Sequence, residues 1–90
     1  MDATQIKEIL KTKLAATHVD VEDESREHAG HDGAKSGGGH YRVTIVSGAF
    51  LSKSALERHR LVYAALEGLM GTDIHALAIR AMAPGEVESR

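Results

Sequence analysis

FLSKSALERHRLVYAALEGLMGTDIHALAI, residues 50–79, decides the fold. Ser54 with Glu57 three residues later is the capping-box pattern that opens a helix. Leu56, Val62, Leu66 and Leu69 read as the buried stripe of that helix and Gly71 as its stop. Ile74 to Ala81 follows as a nearly unbroken apolar run of strand length, expected to have neighbours on both sides. Upstream, Tyr41, Val43 and Ile45 alternate with Arg42 and Thr44, while Val19 and Val21 alternate with Asp20 and Glu22. That period of two predicts a pair of strands, each with one wet face, joined as a hairpin. At the amino end, Asp2 and Gln5 form a second capping-box pattern before Ile6, Ile9, Leu10 and Leu14, predicting an amphipathic helix over residues 3–16. The order α-β-β-α-β describes an α+β fold, a single small domain over residues 1–90 with a three-stranded mixed sheet and helices on one face.

Composition narrows the function. A 90-residue chain of this kind buries only about 60–65% of its unfolded surface, so the core is small and a deep catalytic pocket is not expected. Aromatic residues are limited to Tyr41, Phe50 and Tyr63, which argues against a base-stacking platform. The net charge of −2 excludes the global basicity of a dedicated nucleic-acid binder. With no cysteine there is no disulfide, no thiol catalysis and no thiolate metal ligand. Neither a signal peptide nor an apolar run of membrane length is recognisable, and the expectation is a soluble, cytoplasmic protein. Ser47, Ser52 and Ser54 near His59 lack the motif of a serine nucleophile, so an enzyme is not expected.

Three groups of polar residues remain. Residues 22–40 form a glycine-rich connection carrying His28, His31 and His40. It is longer than the roughly 12–15 residues usual for loops in compact domains, and the residues alone favour a solvated loop. Its Gly37-Gly38-Gly39 run is not expected to help the fold, because glycine loses the most backbone entropy on ordering. A zinc site made by His28, His31, Asp32 and His40 matches no familiar spacing. His75 shares strand parity with Leu77 and Ile79, which predicts a ring on the packed face; the residues alone favour a structural histidine. Lys53, Arg58 and Arg60, with His59 between the arginines, concentrate positive charge near the start of the second helix and are candidates for partner or nucleic-acid contact. Arg58 and Arg60 are two apart and do not share a helix face, so one can brace the fold while the other meets solvent.

Taken together, DESREHAGH at 23–31, HYRVTIVSGAF at 40–50, RHRLVY at 58–63 and IHALAI at 74–79 resemble the BolA-like family in order and over nearly the whole chain. The resemblance implies a fold related to the class II KH domain. It also implies an adaptor, not an enzyme: a monomer alone that forms a heterodimer with a monothiol glutaredoxin and its glutathione, sharing a [2Fe-2S] cluster in iron-sulfur trafficking or sensing. His75, in the IHAL motif, is then the principal ligand, His28 the loop ligand by its place after Ser25, and His31 a further candidate. Imidazole ligation raises the potential of such a cluster relative to thiolate alone. Some members are reported as transcription regulators in the stress response, and the alternative function is DNA binding through Arg58 to Arg60. The chain departs from the family pattern at Ser52, where glycine is common, and after Pro84, where an aromatic is absent. The first departure predicts strain if residue 52 must take positive φ.

Overall fold

A computed structural model describes residues 2–24 and 39–86. Asp2 caps α1 (Ala3–Lys13): its carboxylate accepts from the Gln5 N–H and the Gln5 side chain accepts from the Asp2 N–H, the reciprocal pair expected of a capping box. The helix stops three residues before the predicted end. Ala15 turns left-handed at φ 49° and the Ala16 N–H reaches back to the Lys11 carbonyl, a Schellman-type closure that the apolar spacing did not signal. Next come β1 (His18–Asp23) and β2 (Gly39–Val46), antiparallel with Val19 opposite Ile45 and Val21 opposite Val43. A short 3-10 turn (Gly48–Phe50) leads to α2 (Ala55–Ala65), and β3 (Ile74–Met82) returns parallel to β2. The sheet order is β1-β2-β3, a mixed sheet as expected.

One face of that sheet carries the core. Val19, Tyr41, Val43 and Ile45 pack with Ile6 and Leu10 of α1 and with Val62, Ala65 and Leu66 near α2. Asp20, Glu22, Arg42, Ala78 and Arg80 lie exposed on the other strand parity. Ser47 joins three elements at the far end: its N–H donates to Met82, its hydroxyl donates to the Leu14 carbonyl at 2.5 Å, and the same oxygen accepts from Ala49.

Three readings need correction. Leu56 is 59% exposed and does not belong to the buried stripe. It sits six residues from Val62, about 120° away around a helix, whereas Val62, Ala65, Leu66 and Leu69 keep the spacing of one face. Second, α2 ends at Ala65 instead of running to Gly71, and the chain turns through Gly68 at φ 91°, a conformation a side chain would resist. Third, among the described residues no strand pairs with the outer side of β3; its alanines imitate a doubly buried strand in composition while Ala76 and Ala78 are in fact exposed.

Residue 52 does take positive φ, at 62°, with serine in place. A left-handed non-glycine residue costs about 1–2 kcal/mol, and glycine in the unfolded chain returns part of that. Ser52→Gly is therefore expected to stabilise the protein by about 0.5–1 kcal/mol. Urea unfolding checks this, and a less stable variant would show that the serine side chain contributes more than the backbone strain removes.

Candidate functional site

The start of β3 is built around Ile74. This residue is fully buried, its N–H donates to Leu69 and its carbonyl accepts from Gly71, so the turn after α2 is clamped to the strand. The next residue, His75, lies at an irregularity: Gly39 is opposite Ile74, but His40 is opposite Ala76. His75 is the extra residue of that bulge, which breaks strand alternation and turns its ring away from the packed face. It is exposed, not buried with Leu77 and Ile79 as parity predicted.

His40, half-buried at the start of β2, stands beside it. The two ring centroids are 5.1 Å apart and the planes are inclined at 33°. Two imidazoles whose nitrogens lie about 2.0–2.1 Å from one tetrahedral metal have centroids about 5 Å apart, so the spacing suits a shared metal atom. Among the described residues no group of three or more His, Cys, Asp or Glu side chains gathers for a metal ion. A metal atom held between the two rings would therefore need further ligands from outside the described residues.

Local packing explains why this pair is held. A Cβ at Gly39 would lie 2.5 Å from the Tyr41 ring, so glycine lets the ring fold back along β2. Glycine at residue 39 therefore serves the fold, contrary to the expectation from its entropy alone. Burial, with smaller contributions from Asp23, Asp2 and Asp73, pushes the Tyr41 phenol above its ordinary pKa, leaving it a neutral member of the core. The Gly39 N–H donates to Asp73, and the Glu24 N–H donates to the His40 carbonyl at 2.7 Å. The 22–40 boundary of the connection is also corrected: Glu22 and Asp23 belong to β1, and Gly39 and His40 to β2. His28 and His31 lie outside the described residues, but the positions that bracket them, 24 and 39, are both pinned next to His40. The sequence marks His40 as one of three loop imidazoles and as a zinc candidate, not as the neighbour of His75; the missing signal is the register that sets the first residues of β2 beside those of β3.

The basic residues lie elsewhere, at the other end of β3. Arg58 donates from Nε to Lys53 O at 3.0 Å, from Nη1 to Ala81 O at 3.2 Å and Glu86 Oε1 at 2.6 Å, and from Nη2 to Glu86 Oε2 at 3.0 Å. Its side chain is only 14% exposed, so Arg58 is the member of the cluster that braces the fold. Lys53, His59 and Arg60 are exposed, the last two on the α2 surface that also shows Leu56 and Tyr63. Roughly 20 Å of extended strand separates His75 from Ala81, so the histidine pair and the basic cluster form two sites.

The Arg58 ion pair carries a pH dependence. Hydrogen bonds from Arg58, then from the Ala83 N–H, lower the Glu86 carboxyl from 4.5 to about 2. Its stabilising contribution is complete above the unfolded value and lost as pH falls through the folded one. Acid unfolding should therefore show a loss of stability between about pH 4.5 and 2 that Glu86→Gln flattens. Identical slopes in parent and variant would rule the pair out as the cause.

A family model described as BolA-like protein matches residues 10–86. The chain belongs to the BolA-like family. It is 40% identical to SufE-like protein 1, chloroplastic/mitochondrial, of Arabidopsis thaliana over 92% of this chain and 24% of that protein. To human BolA-like protein 1 it is 40% identical over 90% of this chain and 57% of the relative. It therefore spans between a quarter and somewhat more than half the length of these BolA-like relatives. The solved BolA domain of Arabidopsis SufE1 superposes with a TM-score of 0.80 at 41% identity, covering 94% of each chain. That BolA architecture is the small α+β domain derived above: two helices on a three-stranded mixed sheet. No described helix is long and apolar enough to cross a membrane.

Proposed function

We propose that this BolA-like protein is a non-catalytic adaptor that docks a monothiol glutaredoxin and supplies nitrogen ligands to a [2Fe-2S] cluster in iron-sulfur trafficking or sensing. The observation that supports the reading is the contact of the His75 and His40 rings, centroids 5.1 Å apart, in a chain with no thiolate. Sulfur ligands must then come from the partner and its glutathione, and nitrogen donors raise the cluster's potential relative to all-thiolate ligation. His75 is the principal ligand. The second nitrogen comes from His40 or, by the family resemblance, from His28 or His31. The bulge presents the His75 ring outward, and the fixed start of β2 holds the His40 ring against it, so little ordering is required when the partner arrives. The proposed compartment is the cytoplasm, although the Arabidopsis relatives are named for chloroplasts and mitochondria.

Mixing the protein with a cluster-bearing monothiol glutaredoxin is expected to change the visible absorption and circular dichroism and to yield a one-to-one heterodimer. An unchanged spectrum with every glutaredoxin tried would end this reading. DNA binding is the competing outcome. With Arg58 held by Glu86, only Lys53 and Arg60 of the cluster's permanent cations stay available for phosphates. Log affinity should then fall against log salt with a slope no steeper than about −1.8, and binding should be weak and indifferent to sequence. Nanomolar, sequence-selective binding lost in a folded Arg60→Ala protein would favour a regulator.

A further inference from the structure

The outer edge of β3 points to how a partner engages this chain. Along β3, alternate residues direct their N–H and C=O toward β2 and away from it. Ser47 donates to the Met82 carbonyl, so Met82, Arg80, Ala78 and Ala76 face β2; Ala81, Ile79 and Leu77 face outward. Both ends of the outward edge are closed. At the start, Ile74 bonds to Leu69 and Gly71 and bridges Met70. At the other end the Ala81 carbonyl accepts from Arg58. Between these stops the backbone N–H and C=O of Leu77 and Ile79, together with the Ala81 N–H, have no partner among the described residues.

Such an edge is usually covered or blunted, because unpaired strand groups are a template for another strand. Here the bulge and Arg58 blunt only its two ends. The window begins directly after His75, runs only as far as Ala81, and is flanked by the half-buried side chains of Leu77 and Ile79. It matches a short extended segment that pairs through its own main chain and lets the partner body reach the histidines.

We propose that an extended segment of the glutaredoxin partner adds to the β3 edge at Leu77 and Ile79. This rests on the proposed adaptor function, and it names the contact that would hold the partner over His75. Deuterium exchange in the chain alone and in the glutaredoxin complex, quenched at acid pH and read at residue resolution, tests it. The Leu77 and Ile79 amides are expected to exchange fast in the free chain and at least about tenfold slower in the complex, with Ala78 and Arg80 protected in both. Ala81→Pro removes one outward N–H at an edge position where proline is tolerated and keeps the carbonyl that Arg58 uses. It should weaken glutaredoxin binding about three- to tenfold with the visible spectrum of the residual complex unchanged. Binding that leaves the Leu77 and Ile79 amides fast overturns the edge proposal alone. Failure of any monothiol glutaredoxin to bind removes it together with the adaptor reading. Protection that grows with the chain's own concentration, without glutaredoxin, assigns the edge to a second copy and also overturns it.

Discussion

His75→Ala is expected to abolish the histidine-ligated cluster signal in the glutaredoxin complex while leaving the domain folded. The ring is exposed and sits on the extra residue of a bulge, so its removal opens no cavity and breaks no ladder hydrogen bond that the sheet depends on. The anchor beside it, fully buried Ile74, is untouched. No cysteine can substitute as a ligand. Loss of the visible absorption and dichroism bands with an unchanged thermal unfolding curve is the expected result. A folded variant with full cluster spectra and lifetime would remove His75 from the site. His40→Ala should lower cluster stability less, because His28 and His31 remain on a segment whose bracketing residues lie next to the site. If it costs as much as His75→Ala, the ring pair seen between the strands is the working donor set.

The largest stability effect is expected from Phe50→Ala, about 3–5 kcal/mol. Phe50 is the largest of the fully buried side chains and the only phenylalanine in the chain. It closes the 3-10 turn that Ser47 caps, where the ends of α1, β2 and β3 are tied together. An alanine there loses the transfer energy of the ring and leaves a cavity that the surrounding Leu, Ile and Val side chains cannot fill without moving. Set against the roughly 5–15 kcal/mol of an ordinary domain, this is between about a fifth and the whole of the stability. Urea titration followed by circular dichroism measures it. A shift below about 1 kcal/mol would mean that the site collapses around the missing ring.

The same contrast between local signals and long-range pairing runs through the whole chain. Both capping boxes, at Asp2 and Ser54, formed as read, because a cap is settled by residues three apart and a few hydrogen bonds. The strands at Val19, Tyr41 and Ile74, the α-β-β-α-β order and the absence of any thiolate ligand were equally legible, since alternation, chain order and composition are properties of the sequence itself. The family resemblance singled out His75, and the bulge explains why that histidine is available.

What local reading could not supply was set by which strand lies beside which, and in what register. Leu56 was misplaced because a hydrophobic residue near a stripe looks like part of it until a helix is docked on a sheet. His75 was assigned to the packed face because parity assumes an unbroken ladder, and a single bulged residue overturns parity for its own side chain. His40 meets His75 only because β2 and β3 run parallel with their first residues side by side, a pairing made across more than thirty residues of chain. Arg58 and Arg60 are indistinguishable as letters; the carbonyl of Ala81 and the carboxylate of Glu86 make the first a brace and leave the second in solvent. Residue types determined what chemistry this protein can contribute, and tertiary pairing determined which of those residues meet, because side chains distant in sequence come within bonding range only once the sheet has set their register.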